Sequence, residues 1–189
     1  MSTTESPRPS NAADGFRSVV VMGVCGSGKS VIGDLVASRL DFSFIEGDTL
    51  HPQPNIAKMT AGIPLTDEDR WPWLDAIAGE LNRVPRGVVA SCSALKRIYR
   101  DRLRANTGRP IFFLFLDGSR SLLAARMDQR NQHFMPAALL DSQLAILERP
   151  QIYEDAVAFD ASRSPTDIAK AAAAALRPRF GERGACNEG

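Results

Sequence analysis

Five short apolar runs punctuate the chain: SVVVM at 18–22, FSFIE at 42–46, GVVASC at 87–92, IFFLFLD at 111–117 and AVAFD at 156–160. A strand with one wet face alternates apolar and polar residues. These runs largely do not, so they predict strands covered on both faces, as in a parallel sheet. Helical periods lie between them. Val31, Ile32, Leu35, Val36 and Leu40 form one apolar face, Leu74, Ile77 and Leu81 a second within TDEDRWPWLDAIAGEL, and Leu140, Leu144 and Leu147 a third. Pro72 predicts a start or a kink near it, because proline lacks the N–H a helix interior needs. The last helix carries its own start signal: Ser164 as N-cap, Pro165 at the first helical position and Asp167 near the positive end, ahead of Ile168, Ala172, Ala175 and Leu176. Alternating strands and helices predict a doubly wound α/β layer structure, whose ligands sit beyond the carboxyl ends of the strands.

Composition narrows this picture. A chain of 189 residues suits one domain, expected over residues 16–177, with tails at 1–15 and 178–189 that lack period and apolar density. Its 23 basic and 22 acidic residues nearly balance, so no overall field favours nucleic acid or an anionic membrane, and any anion site must be a local cluster. No apolar stretch approaches the ~18 residues that span a bilayer, and the N-terminus lacks a secretory pattern. Cys25, Cys92 and Cys186 are odd in number and far apart, which argues against a disulfide framework or a zinc site and fits a cytoplasmic protein.

The chemistry starts directly after the first apolar run. GVCGSGKS, residues 23–30, satisfies G-x-x-x-x-G-K-[ST], with a strand before it and an amphipathic helix after it. Small residues let backbone N–H groups converge on phosphate oxygens, Lys29 reaches the β and γ phosphates, and the Ser30 hydroxyl is placed for Mg²⁺. Cys25 reads as a small residue filling the loop wall rather than as a nucleophile.

A phosphate cradle does not name its acceptor, so residues after the other strands matter. Asp48 follows the second run by two residues, where a carboxylate could accept a hydroxyl proton or organise Mg²⁺ through water. His51 and Lys58 stand seven apart, on one side of any helix between them. Ser93 is a candidate cap for a helix carrying Lys96, Arg97, Arg100, Arg102 and Arg104. Of these, Lys96 and Arg100 lie one turn apart near the strand end and suit an anionic substrate, while the others suit a solvated face. Arg126 and Arg130 share a helix face before a polar segment, as a mobile lid delivering guanidinium groups to ATP would require. Taken singly, each of these residues has an ordinary reading as a turn residue, a surface histidine or a solvated charge; taken together, they favour a site.

The blocks MGVCGSGKS, EGDTLHPQPNIAKMTAGIPLTDEDRWPWL, CSALKRIYRDRLR and LDGSRSLLAARMDQRNQHFMPAALLDSQLAILE resemble, in order and spacing, the gluconokinases, small P-loop kinases related to shikimate and adenylate kinases. The likeness covers nearly all of residues 18–160. It implies a P-loop nucleoside-triphosphate hydrolase fold, with a five-stranded parallel sheet flanked by helices, a mobile lid at about 130–137 and a homodimer. The implied reaction is ATP-dependent phosphorylation of the 6-hydroxyl of D-gluconate. Gly23, Val24, Cys25, Gly26, Ser27, Gly28, Lys29 and Ser30 would then hold ATP, with Ser30 on Mg²⁺. Asp48 would orient or deprotonate the acceptor hydroxyl. His51, Lys58, Arg70, Lys96, Arg100 and Gln143 would surround the sugar acid, Arg126 would lie against adenine, and Arg130 would be the lid arginine that stabilises the transferring group. Three departures from the family pattern stand out: Cys25 where serine is usual, Thr49 where a second acid often follows Asp48, and Asn131-Gln132 in place of Lys-Gly. Two alternatives stay open. One is a kinase for another small hydroxy acid such as shikimate, or for a nucleotide; the other is an ATP-binding switch without phosphotransfer.

Overall fold

The computed structural model describes residues 18–129 and 137–180. Five parallel strands, β1 (Ser18–Met22), β2 (Ser43–Glu46), β3 (Val88–Ser91), β4 (Ile111–Asp117) and β5 (Ala156–Asp160), form one sheet in the order β2-β3-β1-β4-β5. Helices α1 (Lys29–Leu40), α2 (Gln53–Thr60), α3 (Asp67–Arg83), α4 (Arg97–Asn106), α5 (Arg120–Asp128), α6 (Ala137–Ala145) and α7 (Pro165–Leu176) connect and cover them.

The strand period of two sorts side chains into two core layers. Val20, Met22, Val88, Ala90, Phe113 and Phe115 meet Trp73, Leu74, Ile77 and Leu81 of α3 and Tyr99 and Leu103 of α4. Val19, Val21, Val89, Phe112, Leu114 and Leu116 meet Ile32 and Val36 of α1 and Ile168, Ala172 and Leu176 of α7 on the other face. Each large side chain sealed in this way stabilises the fold by ~1.5–3 kcal/mol. The central strands are therefore buried throughout, as their uninterrupted apolar runs predict, whereas the edge strands β2 and β5 are only partly covered.

Several local expectations change. The α3 helix begins at Asp67 behind the Thr66 cap and passes straight through Pro72. Pro72 sits exposed, five residues after the helix start. Val31 is exposed and lies outside the buried face of α1. Leu147 falls beyond the end of α6 but still packs on the core. Ser93 is not the cap of α4: that position belongs to Lys96, and Ser93 lies in the segment leading from β3. Ser164 does cap α7, accepting from the Asp167 N–H at 3.1 Å.

The packed body also continues past residue 177. Arg177–Phe180 form a 3-10 turn in which Phe180 meets Phe42 edge-on at 5.0 Å and Arg177 donates to the Arg39 carbonyl at 2.9 Å. The expected tail at 1–15, residues 130–136 of the lid expected at about 130–137, Arg130 among them, and residues 181–189 lie outside the described residues. Among the described residues no helix is long and apolar enough to cross a membrane.

Candidate active site

The β1 strand delivers the chain into the 23–28 loop at the carboxyl edge of the sheet, where the α1 helix starts. Gly26 has φ +76°, and a Cβ there would lie 2.9 Å from the Leu123 carbonyl oxygen, so this bend accepts only glycine without strain. Gly23 donates its N–H to the Ser93 carbonyl at 3.3 Å, tying the loop to the segment after β3. The N-cap of α1 is Gly28, which offers no side chain to the first turn, whereas Thr66, Ser119 and Ser164 cap α3, α5 and α7. The first amides of α1 are thereby left for an external anion. The Lys29 amine bridges back to the Val24 carbonyl at 3.1 Å, which holds the charge over the loop.

A cavity of about 700 Å³ opens from this loop. Gly26, Gly28, Lys29 and Ser30 form one end, Asp48, His51, Arg70 and Ser93 line the acceptor side, and Met59, Ile63, Leu65, Met127 and Ile146 supply apolar wall. The phosphate loop, Asp48, His51, Arg70 and Gln143 of the expected site are thus brought together around one space.

Asp48 sits on a short 3-10 turn, Gly47–Leu50, immediately after β2. Three contacts fix that turn. The Trp73 indole N–H donates to the Gly47 carbonyl at 2.8 Å, the Gly47 N–H donates to the Ser91 hydroxyl at 3.0 Å, and the Ser91 hydroxyl donates to the Glu46 carboxylate. A Cβ on Gly47 would come within 2.0 Å of the Ser91 carbonyl oxygen, so the turn is pressed against β3 and its aim is set by the sheet. Directly behind it the His51 ring stacks on the Trp73 indole at 4.1 Å and 13°. Burial pushes the His51 imidazole down to about 4, with Asp48 pulling the other way and Arg70 adding to the fall.

The cations expected around an acidic substrate separate into two groups. Lys58 donates to both oxygens of Asp69 at 2.7 Å, and Lys96 to both oxygens of Asp67 at 2.7 and 2.9 Å. The Tyr99 hydroxyl also donates to Asp67, and these two donors, Lys96 first, hold the Asp67 carboxyl below the usual carboxylate range. Arg100 is fully buried and saturated. It makes two bonds to Glu154, at 2.7 and 2.9 Å, and donates to the carbonyls of Ala94, Leu95 and Glu148. The expectation that Arg100 touches substrate is therefore corrected: it clamps the segment after β3 to the segment before β5. Lys58 and Lys96 likewise do not line the cavity, each being drawn to a carboxylate in the first turn of α3.

Arg70 differs from all three. It is 6% exposed, lines the cavity, has no ion-pair partner among the described residues, and its Nε lacks any hydrogen-bond partner. Its guanidinium lies 5.5 Å from the centre of the Tyr99 ring, which supplies a π face but no counter-charge.

Gln143 on α6 accepts the Cys25 N–H through Oε1 at 2.7 Å, so it contacts the phosphate loop itself as well as the acceptor space. Burial raises the Cys25 thiol despite the opposing Lys29 charge, and its sulfur faces the Met127 sulfur at 3.4 Å, in keeping with a wall residue. Burial also carries the Cys92 thiol to about 12. Arg126 donates to the Ala161 carbonyl at 2.7 Å and does not line the cavity. The residues not anticipated are Glu46, Asn55, Trp73, Ser91 and Met127. Asn55 and Trp73 fall inside blocks that stood out in the sequence, yet nothing in their spacing marks them as partners of His51.

A phosphate loop on a five-stranded parallel sheet in this order, opening into an acceptor cavity, defines a small P-loop kinase. The shikimate kinase family model matches residues 25–177. The thermosensitive gluconokinase of Escherichia coli K12 is 47% identical over 156 residues, covering 80% of this chain and 82% of that protein. The crystal structure of a gluconokinase from Sinorhizobium meliloti 1021 superposes with a TM-score of 0.79 at 51% identity, covering 86% and 93% of the two chains. An APS kinase from Mycobacterium tuberculosis shares the fold at 21% identity and a TM-score of 0.63. The chain belongs to the gluconokinase family of P-loop kinases.

Proposed function

We propose that this chain transfers the γ-phosphoryl group of ATP to the 6-hydroxyl of D-gluconate, giving 6-phospho-D-gluconate and ADP. The observation that carries the reading is the one cavity joining the phosphate loop, the Asp48 carboxylate and the Arg70 guanidinium, which is unpaired among the described residues. Together these supply a phosphate end, an acceptor for a hydroxyl proton and a cation for a carboxylate.

Phosphoryl transfer asks mainly for positioning and charge neutralisation. The loop amides and Lys29 would meet the phosphate oxygens, and Asp48, held by the Gly47 and Ser91 contacts, would orient the acceptor hydroxyl at the end of the chain. Arg70 would take the carboxylate at the other end in a charge-assisted pair. His51 and Gln143 would serve intermediate oxygens, and Arg130 would approach from the lid. The Ser30 hydroxyl is exposed at the cavity without a protein partner among the described residues, and Asp48 is a second oxygen donor. Hard oxygen ligands of this kind suit Mg²⁺, which would neutralise phosphate charge when bound. The exposed apolar side chains Ile98, Ile152 and Tyr153 support the expectation of a homodimer, and a cytoplasmic location belongs to the same reading.

The test is a coupled assay of ADP release over a panel of gluconate, other sugar acids, shikimate and nucleoside monophosphates. Turnover with gluconate, abolished in Lys29→Ala and reduced at least a hundredfold in Asp48→Asn, is the expected result. Turnover with shikimate or a nucleotide but not gluconate would replace the substrate, and hydrolysis indifferent to every acceptor would point to a switch.

A further inference from the structure

The His51 ring has only one face, and one nitrogen, free for a substrate. Its plane lies on the Trp73 indole, its Nδ1 is 3.3 Å from the Asn55 Nδ2, and its own backbone N–H is turned to the Asp48 carbonyl at 3.4 Å. Nε2 has no protein partner among the described residues, yet it is not among the fully buried atoms left unpaired, and the residue lines the cavity. Nε2 is thus the nitrogen that meets a ligand.

What that nitrogen carries is decided one residue further back. Asn55 is 2% exposed, and its Nδ2 also donates to the Asp69 backbone carbonyl at 2.7 Å. A carbonyl oxygen can only accept, so this contact fixes which end of the Asn55 amide is the NH₂ group. The second N–H of the same group then points to His51 Nδ1, which must accept it and so be unprotonated. A neutral imidazole with a bare Nδ1 carries its proton on Nε2.

We infer that Asn55 is a positioning residue that holds His51 in the neutral Nε2–H tautomer, so that the ring presents a hydrogen-bond donor to an oxygen of the sugar acid. This rests on the kinase reading for its ligand but not for its geometry. His51 is then neither the base for the acceptor hydroxyl nor a cation for the carboxylate, and those two roles fall to Asp48 and Arg70. The anchoring of Asn55 on a backbone carbonyl of α3 also ties the tautomer to the helix that carries Arg70.

The chain has two histidines, His51 and His133, so long-range ¹H–¹⁵N spectra of the full-length protein are simple, and comparison with His51→Phe assigns them. At pH 7 the expected result is a protonated Nε2 and a bare Nδ1 for His51; an Nδ1–H ring or an imidazolium overturns the inference. Asn55→Asp replaces the donor with an acceptor and is expected to move the proton to Nδ1 or charge the ring. It should also raise the gluconate KM about tenfold, as loss of one hydrogen bond predicts, with the ATP KM unchanged. A ring whose protonation does not change overturns Asn55 as the determinant. A carboxylate facing the Asp69 carbonyl can prevent folding, so a second pair of variants decides independently. His51→Phe keeps the stack on Trp73 without a donor and should raise the gluconate KM about tenfold, while His51→Gln, which can donate, should raise it less than a third as much. A loss in His51→Gln equal to or larger than that in His51→Phe would show that the ring, not its donor, is what the substrate needs, and would overturn the inference. Absence of gluconate turnover in the wild type would defeat the kinase reading and leave the spectroscopic result standing.

Discussion

Replacing Arg100 with methionine tests whether this arginine serves the substrate or the fold. The substitution keeps the apolar stem and removes the guanidinium, taking away two bonds to Glu154 and three to backbone carbonyls at once. Glu154, only 3% exposed, would keep the Gln151 N–H at 2.9 Å and a longer contact with Arg104 at 3.6 Å. Removing one partner of a buried pair in this way costs about 3–5 kcal/mol, because the other charge stays buried with its solvation unpaid. That is a large share of the ~5–15 kcal/mol a domain has in total. For a chain of this size it corresponds to a Tm lower by roughly 6–20 °C. Arg102, whose pair with Asp75 is more than a third exposed on both sides, is the control; Arg102→Ala should leave the melting temperature close to that of the wild type. Thermal melts followed by circular dichroism measure the first effect, and the gluconate KM measured well below the transition should match the wild type. A melting temperature that stays put while the KM rises would refute the reasoning and return Arg100 to the substrate.

Three further outcomes follow from the same geometry. Arg70→Met should raise the gluconate KM by about 10–100-fold, the value of a lost charge-assisted pair, while leaving the ATP KM unchanged; steady-state kinetics separate the two. Gly47→Ala should drive the Asp48 turn away from β3, since the Ser91 carbonyl cannot yield, with a cost of at least ~1–3 kcal/mol by denaturant titration and a lowered kcat. Because the folded His51 pKa of about 4 lies below its ordinary 6.5, the unfolded chain binds the proton first as pH falls. The neutral ring's contribution is complete above about 6.5 and is lost toward 4, so the stability difference between wild type and His51→Gln should shrink across that window in urea titrations at successive pH values.

The layers of the fold are legible in the sequence because strand burial and helix period are local patterns: SVVVM, GVVASC and IFFLFLD announce central strands, and S-P-T-D announces the start of α7. The phosphate loop is equally plain, since its geometry depends on contiguous small residues. The acceptor side was readable only as a cluster of charged residues. Which cations are free is decided by partners 11, 29 and 54 positions away, Asp69 for Lys58, Asp67 for Lys96 and Glu154 for Arg100, and no periodicity reports those pairings. Asn55 was invisible for a related reason: its meaning lies in one backbone carbonyl of α3 and one ring nitrogen, neither of which is written as a residue type. Pro72 marked the neighbourhood of a helix start, which falls five residues upstream at Asp67, but could not fix its position, because the start is set by the Thr66–Asp69 capping box.

The first turn of α3 places Asp67 and Asp69 against Lys96 and Lys58 and leaves Arg70, next in line, without an ion-pair partner among the described residues. The acceptor end of the cavity consequently grips a single negative charge and has little reserve for more. On the reading proposed above, a monocarboxylate entering as substrate would be met in full, whereas the same molecule leaving as a phosphate ester would carry extra charge that this wall does not reward. Pairing the two lysines keeps their charge off the cavity, and variants that free them to turn toward it, Asp67→Asn and Asp69→Asn, should bind a multiply charged anion more tightly than the wild type does.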